Sequence, residues 1–118
     1  RRLPAVKIEQ RIELTDAAIP DPLKTNIFRI LQEGLNNAAK YSQARRVGVG
    51  LRAEEDQIIL EMEDDGVGFD QATLRHPNAA GGFGLASMRE RIELSGGELS
   101  ILAAPGRGTR LRACWPAV

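Results

Sequence analysis

The chain has 118 residues, 42% of them hydrophobic and 27% charged, which is enough for one globular domain with its own core. Lysine plus arginine and aspartate plus glutamate balance at 16 each, so no overall positive field directs the chain to nucleic acid or an anionic membrane. No apolar run approaches the roughly 18 residues needed to cross a bilayer, and no signal-peptide pattern opens the chain; a cytoplasmic domain without direct membrane contact is expected.

Val6 to Leu14 alternates imperfectly between apolar and charged residues, which predicts a half-buried edge strand. Because position 1 is arginine and strand-like sequence begins almost at once, the chain reads as a piece of a longer protein. Thr15 to Pro22 has turn chemistry, with Pro22 suited to a first helical turn. From Leu23 to about Ser42, Ile27, Ile30, Leu31, Gly34, Leu35 and Ala38 recur at three- and four-residue steps and predict an amphipathic helix. At roughly 100° per residue, Arg29, Glu33, Asn36, Asn37 and Lys40 share one arc beside its apolar face.

Arg46–Ala53 and Gln57–Glu63 alternate as strands around the polar turn Glu54-Glu55-Asp56, a hairpin whose second strand delivers Asp64. Residues 70–82 carry Pro77, Asn78, Gly81 and Gly82, lack a period and are long for a connection, so a mobile lid is expected over about 69–84. Leu85, Met88 and Ile92 mark a second helix that stops at Ser95-Gly96-Gly97. Glu98–Ala103 and Thr109–Trp115 then form two strands around Pro105-Gly106-Arg107-Gly108. The order β, α, β, β, lid, α, β, β suits an α+β fold, a two-layer sandwich with helices on one face of a mixed sheet. Cys114, the only cysteine, lies in an apolar β-like segment and reads as a buried core thiol, without a partner for an internal disulfide or thiolate zinc site.

Three segments have chemistry beyond packing. In Asp64-Asp65-Gly66-Val67-Gly68 the glycines let backbone approach a flat ligand, and the Asp64 carboxylate can accept from the exocyclic amine of a purine such as adenine. The helical stripe sets a carboxylate, two amides and an ammonium along one side, where they could hold magnesium and phosphate oxygens. Gly81-Gly82-Phe83-Gly84 runs directly into the second helix, whose free amides favour an anion, without making a P-loop or a Rossmann fingerprint. Taken singly, each also fits a blander reading: a turn, a solvated helix face, a flexible linker. Together they point to a nucleotide.

In this combination the sequence resembles the GHKL ATPase superfamily (Bergerat fold), and within it the catalytic ATP-binding domain of bacterial two-component sensor histidine kinases. Glu33 to Tyr41 is similar to the N box, Asp64 to Gly68 to the G1 box, and Gly82-Phe83-Gly84-Leu85 to the G2 box. Gly84 to Gly97, with Met88, Glu90 and Arg91, and Pro105 to Thr109 are most similar to the nitrate-sensor subfamily. The likeness runs over essentially the whole chain from about Val6.

What the resemblance implies is a single domain over 1–118 that binds ATP and Mg2+. Asn37 would coordinate the metal, with Glu33 positioning its water or acting as base. Lys40 and Tyr41 would contact phosphate, and Asp64 would bind the adenine amine. Gly66 and Gly68 would shape the base pocket, Gly82 and Gly84 would hinge the lid, Leu85 of the G2 box would help bind the nucleotide, and Thr109 would support the Asp64 end. The γ-phosphoryl would go to a histidine on an upstream dimerisation domain of the same protein, a homodimer at full length, and onward to a response regulator. His76, the only histidine, precedes Pro77 in the expected lid and is assigned no acceptor role. Two departures stand out: Tyr41 occupies a position where the subfamily often has histidine, and the F box has no clear counterpart. A serine kinase of the anti-sigma-factor type, or a degenerate module that binds a partner and no nucleotide, would carry the same fold.

Overall fold

A computed structural model of the chain describes residues 7–14, 18–40, 43–68 and 85–116, without the side chains of residues 37–40. Its elements are β1 (Lys7–Ile12), α1 (Asp21–Lys40), β2 (Arg46–Glu54), β3 (Gln57–Asp64), α2 (Leu85–Leu94), β4 (Glu98–Ala103) and β5 (Thr109–Pro116). The strands form one sheet in the order β1-β2-β3-β5-β4. β1 is parallel to β2, and the other pairs are antiparallel. Both helices pack on one face, α1 against β3 and α2 against β4, which makes a mixed-sheet α+β fold. The expected lid, 69–84, lies outside the described residues.

The strand period of two sorts the sheet into a core face and an outer face. Val47, Val49 and Leu51 of β2, Ile58, Leu60 and Met62 of β3, Leu111, Ala113 and Trp115 of β5, and Leu99 and Ile101 of β4 all point under the helices. Leu23, Ile27 and Ile30 of α1 and Leu85, Met88 and Ile92 of α2 close over them at helical spacing. Two expectations are corrected by this arrangement. The apolar residues of β1 are exposed, Ile8 by 47% and Ile12 by 51%, because the helices pack chiefly on β3 and β4 and β1 is the opposite edge of the sheet. Cys114 is half-buried on the outer face, paired with Ile59, because its neighbours Ala113 and Trp115 take the inward positions.

The connections follow local chemistry. The β2–β3 hairpin turns on Glu55 and Asp56, with φ of 48° and 62°, the two left-handed positions of a type I′ turn that usually holds glycine or asparagine. Helix α2 ends in a Schellman motif. Gly96, at φ 88°, donates its N–H to Glu93 O at 3.0 Å, and Gly97 donates to Ile92 O at 2.9 Å. The Trp115 indole N–H donates to Ser95 Oγ at 2.8 Å, so the end of α2 is tied to β5.

Gly34 sets how near α1 comes to the sheet. A Cβ there would lie 2.5 Å from both Sδ and Cε of Met62, so the missing side chain lets the helix settle on β3 one residue after Glu33. Alanine would gain about 1 kcal/mol of helix propensity, which offsets much of the cost of displacing a flexible thioether. A β-branched side chain has no such compensation. Gly34→Val is expected to cost about 1–3 kcal/mol in a urea melt; an unchanged midpoint would show that α1 has room at this crossing.

Candidate functional site

The end of β3 is built by interlocking backbone. Gly68, at φ 64°, lies so close to the carbonyls of Ala104 and Gly108 that a Cβ would collide with both, and Gly108, at φ 72°, lies equally close to the Asp64 carbonyl. Gly106 N–H donates to Val67 O at 2.6 Å and fastens the β4–β5 turn to the same loop. Glycine is required at 68 and 108 by two independent constraints, a left-handed φ and a backbone contact.

This interlock puts Asp64 beside Thr109, its register partner on β5. Asp64 Oδ1 accepts the N–H of buried Gly66 at 2.9 Å, an Asx turn that orients the half-buried carboxylate. Thr109 Oγ1 is buried and has no hydrogen-bond partner among the described residues. The structure therefore brings Asp64, Gly66, Gly68 and Thr109 together.

The helical residues are resolved in part. Glu33 is half-buried on α1, and its Oε2 is buried without a hydrogen-bond partner among the described residues. It precedes Gly34, whose contact is Met62, two residues before Asp64. Glu33 and Asn36 line a cleft of about 570 Å³ with Arg29 of α1 and Arg91 of α2. Asn37 and Lys40 belong to the last turn of α1, with side chains outside the described residues. Tyr41, Gly82, Gly84 and His76 also lie outside them. Leu85 begins α2 and is buried in the core.

Glu33 Oε2 and Thr109 Oγ1 are unsatisfied buried side-chain atoms among the described residues. Leaving such a group unpaired costs about 1–3 kcal/mol, a cost that a bound polar ligand removes. An unpartnered carboxylate oxygen beside an amide is also the hard-oxygen donor type that suits magnesium.

Sequence reading misses the part played by Asp65. Its Oδ1 accepts the N–H of Arg45 at 2.8 Å and of Arg46 at 3.0 Å, so one carboxylate clamps the start of β2 to the end of β3. The available signal is the Val47–Asp64 register, which places residue 65 opposite Arg46 once the hairpin is known.

Residues 23–118 match the family described as histidine kinase-, DNA gyrase B-, and HSP90-like ATPases. An uncharacterized sensor-like histidine kinase of Chloroflexus aurantiacus is 40% identical over 87 residues, which is 72% of this chain and 15% of that protein. The oxygen sensor histidine kinase NreB of Staphylococcus carnosus is 41% identical over 87 residues, 74% of this chain and 24% of that one. The blue-light activated histidine kinase of Erythrobacter litoralis EL346 superposes with a TM-score of 0.79 at 24% identity, over 96% of this chain and 36% of its own. The chain thus spans under a third of each of these two curated relatives.

The Asp65 clamp gives a pH signature. Backbone hydrogen bonds from Arg46 and then Arg45 hold its carboxyl below the usual aspartate range. A depressed folded-state pKa contributes stability that is complete above the ordinary value and is lost as pH falls through the lower one. Asp65→Asn is expected to lower the urea midpoint at neutral pH, with the gap to the unsubstituted chain closing only below about pH 4; a gap independent of pH would rule out the charged clamp.

From the fit of residues 23–118 and the glycine-locked turn at Asp64, the chain belongs to the histidine kinase-, DNA gyrase B-, and HSP90-like ATPase family.

Proposed function

We propose that this chain is the ATP-binding catalytic domain of a two-component sensor histidine kinase, supplying the γ-phosphoryl of Mg-ATP to a histidine on an upstream dimerisation domain of the same protein. The observation that carries the reading is the pair of unpartnered buried polar atoms, Glu33 Oε2 and Thr109 Oγ1, at the two regions where the sequence expects phosphate chemistry and base recognition. Asp64 and Thr109 would hold the adenine edge, the first accepting from its exocyclic amine and the second supporting the pocket. Gly66 and Gly68 would let the backbone lie against the base.

At the other end, Asn37, Lys40 and Tyr41 would face the phosphates, with Glu33 positioning a metal-bound water or taking a proton. Magnesium, held by Asn37 near Glu33, would neutralise phosphate charge. Phosphoryl transfer makes few covalent demands on the protein, so the site's work would be positioning and charge neutralisation. Residues 69–84, with hinge glycines Gly82 and Gly84, would close over the nucleotide and exclude water. The parent kinase would be a homodimer with this domain in the cytoplasm, and a response regulator would take the phosphoryl from the histidine.

Two substitutions separate recognition from folding. Asp64→Ala is expected to weaken ADP binding in Mg2+ by roughly 10- to 150-fold, the worth of a hydrogen bond to a charged group; equal tight binding by both proteins would reject the adenine assignment. Thr109→Val keeps the shape and removes the unpaired hydroxyl. It is expected to stabilise the ligand-free chain by about 1 kcal/mol while weakening nucleotide binding. A loss of stability together with unaltered binding would assign Thr109 to packing.

A further inference from the structure

We infer that Arg91, assisted by Arg29, holds the terminal phosphoryl group of the nucleotide in the cleft between α1 and α2, an inference that rests on the proposed ATP-binding reading. The cleft, about 570 Å³ in volume, is lined by Arg29, Gln32, Glu33 and Asn36 from α1 and by Arg91 from α2. Some other arginines are matched with carboxylates, Arg46 with Glu9, Arg52 with Glu54 and Glu61, and Arg110 with Glu63, but none of these lines a cleft shared by the two helices. Arg29 and Arg91 have no ion-pair partner among the described residues. Two guanidinium groups therefore face one carboxylate, leaving a local excess of positive charge in a chain that is neutral overall.

A guanidinium presents a rigid fork of donors that matches phosphate oxygens and keeps its charge at any working pH. Arg91 is half-buried and projects from α2, the helix that follows the Gly82-Phe83-Gly84 segment, so less side-chain freedom is lost when it binds. Arg29 lies one turn before Glu33 on the same helix face. From Asn37 to Arg29 is eight residues, about 12 Å along the axis at 1.5 Å per residue. The polar stripe thus extends from the turn that carries Asn37 and Lys40 toward two guanidinium groups without an ion-pair partner among the described residues.

In the transfer itself the acceptor imidazole's nitrogen lone pair forms the N–P bond while the bond from phosphorus to the bridging oxygen breaks. ADP leaves with that electron pair, and the ring's other proton is released to water. The two arginines would neutralise the non-bridging oxygens throughout and exchange no proton.

The test compares ADP with a non-hydrolysable ATP analogue, both in Mg2+, by calorimetry on the 118-residue chain. The unsubstituted chain is expected to prefer the triphosphate. Arg91→Gln is expected to lose that preference by roughly 10- to 150-fold while ADP affinity stays within about twofold, and Arg91→Lys to keep part of it. Should Arg91→Gln alter Trp115 fluorescence and so report misfolding, Arg29→Gln on the exposed helix surface gives the same readout with a smaller expected loss. An unchanged preference in a folded variant that binds ADP normally overturns the inference and leaves the ATP-binding reading intact. Failure of the unsubstituted chain to bind either nucleotide overturns both.

Discussion

The backbone interlock between Gly68 and Gly108 is the constraint on which the site depends. Each glycine occupies space against a carbonyl of the other segment, and each has a left-handed φ, so any side chain would have to be accommodated by moving main chain rather than a flexible side-chain end. Two loops distant in sequence are thereby fixed against each other, one leaving β3 and one entering β5. Asp64 and Thr109, the residues beside those loops, inherit a separation that the antiparallel register already sets. The Asx turn to Gly66 and the Asp65 clamp on Arg45 and Arg46 add local order to the same corner. Preorganisation of this kind lowers the ordering cost of binding, because the groups are held before the ligand arrives.

Much of this was legible in the sequence wherever a period could be counted. The three- and four-residue steps from Leu23 to Leu35 give α1, and Leu85, Met88 and Ile92 give α2. The hairpin and Schellman cap announce themselves through turn residues. What periodicity cannot convey is which side of a strand is covered. Val6 to Leu14 alternates like a half-buried strand, yet β1 is the sheet edge opposite β4 and its isoleucines stay exposed. Cys114 sits among apolar neighbours in sequence and is turned away from them by the pleat. The clamp by Asp65 and the place of Arg91 in a cleft wall are opaque for another reason: they depend on backbone amides and α1 side chains 19–20 and more than 50 positions away, and such contacts have no local signature.

The unsatisfied atoms at Glu33 and Thr109 show where stability has been given up. A core of this size could cover both with apolar side chains, and a valine at 109 would fit the same space without an orphaned hydroxyl. Retaining polar groups there makes sense if their partners arrive with a ligand, since a buried donor or acceptor is costly only while it is unpaired. The same logic explains why the remainder of the described interior is apolar, with no buried polar or charged residue among the core positions. Polarity is confined to places where helix meets cleft or strand meets turn.

That confinement also gives the ligand a direction. With positive and negative residues equal in number, the chain has no net field to steer a polyanion from afar, and at physiological salt exposed charges are screened beyond about 8 Å. Orientation has to come from short-range asymmetry. The Asp64 end offers a carboxylate, which repels phosphate and, in the proposed reading, would accept from a purine amine. The α1–α2 cleft offers two guanidinium groups, without an ion-pair partner among the described residues, against a single carboxylate, and their charge favours phosphate over a neutral base. A nucleotide bound backwards would place phosphate against Asp64 and leave Arg29 and Arg91 unpaired, so one orientation is favoured at both ends at once. Gly34 makes the asymmetry effective by letting α1 lie close on β3: the same helix that seals the core carries Glu33 and Arg29 along the path between the two ends.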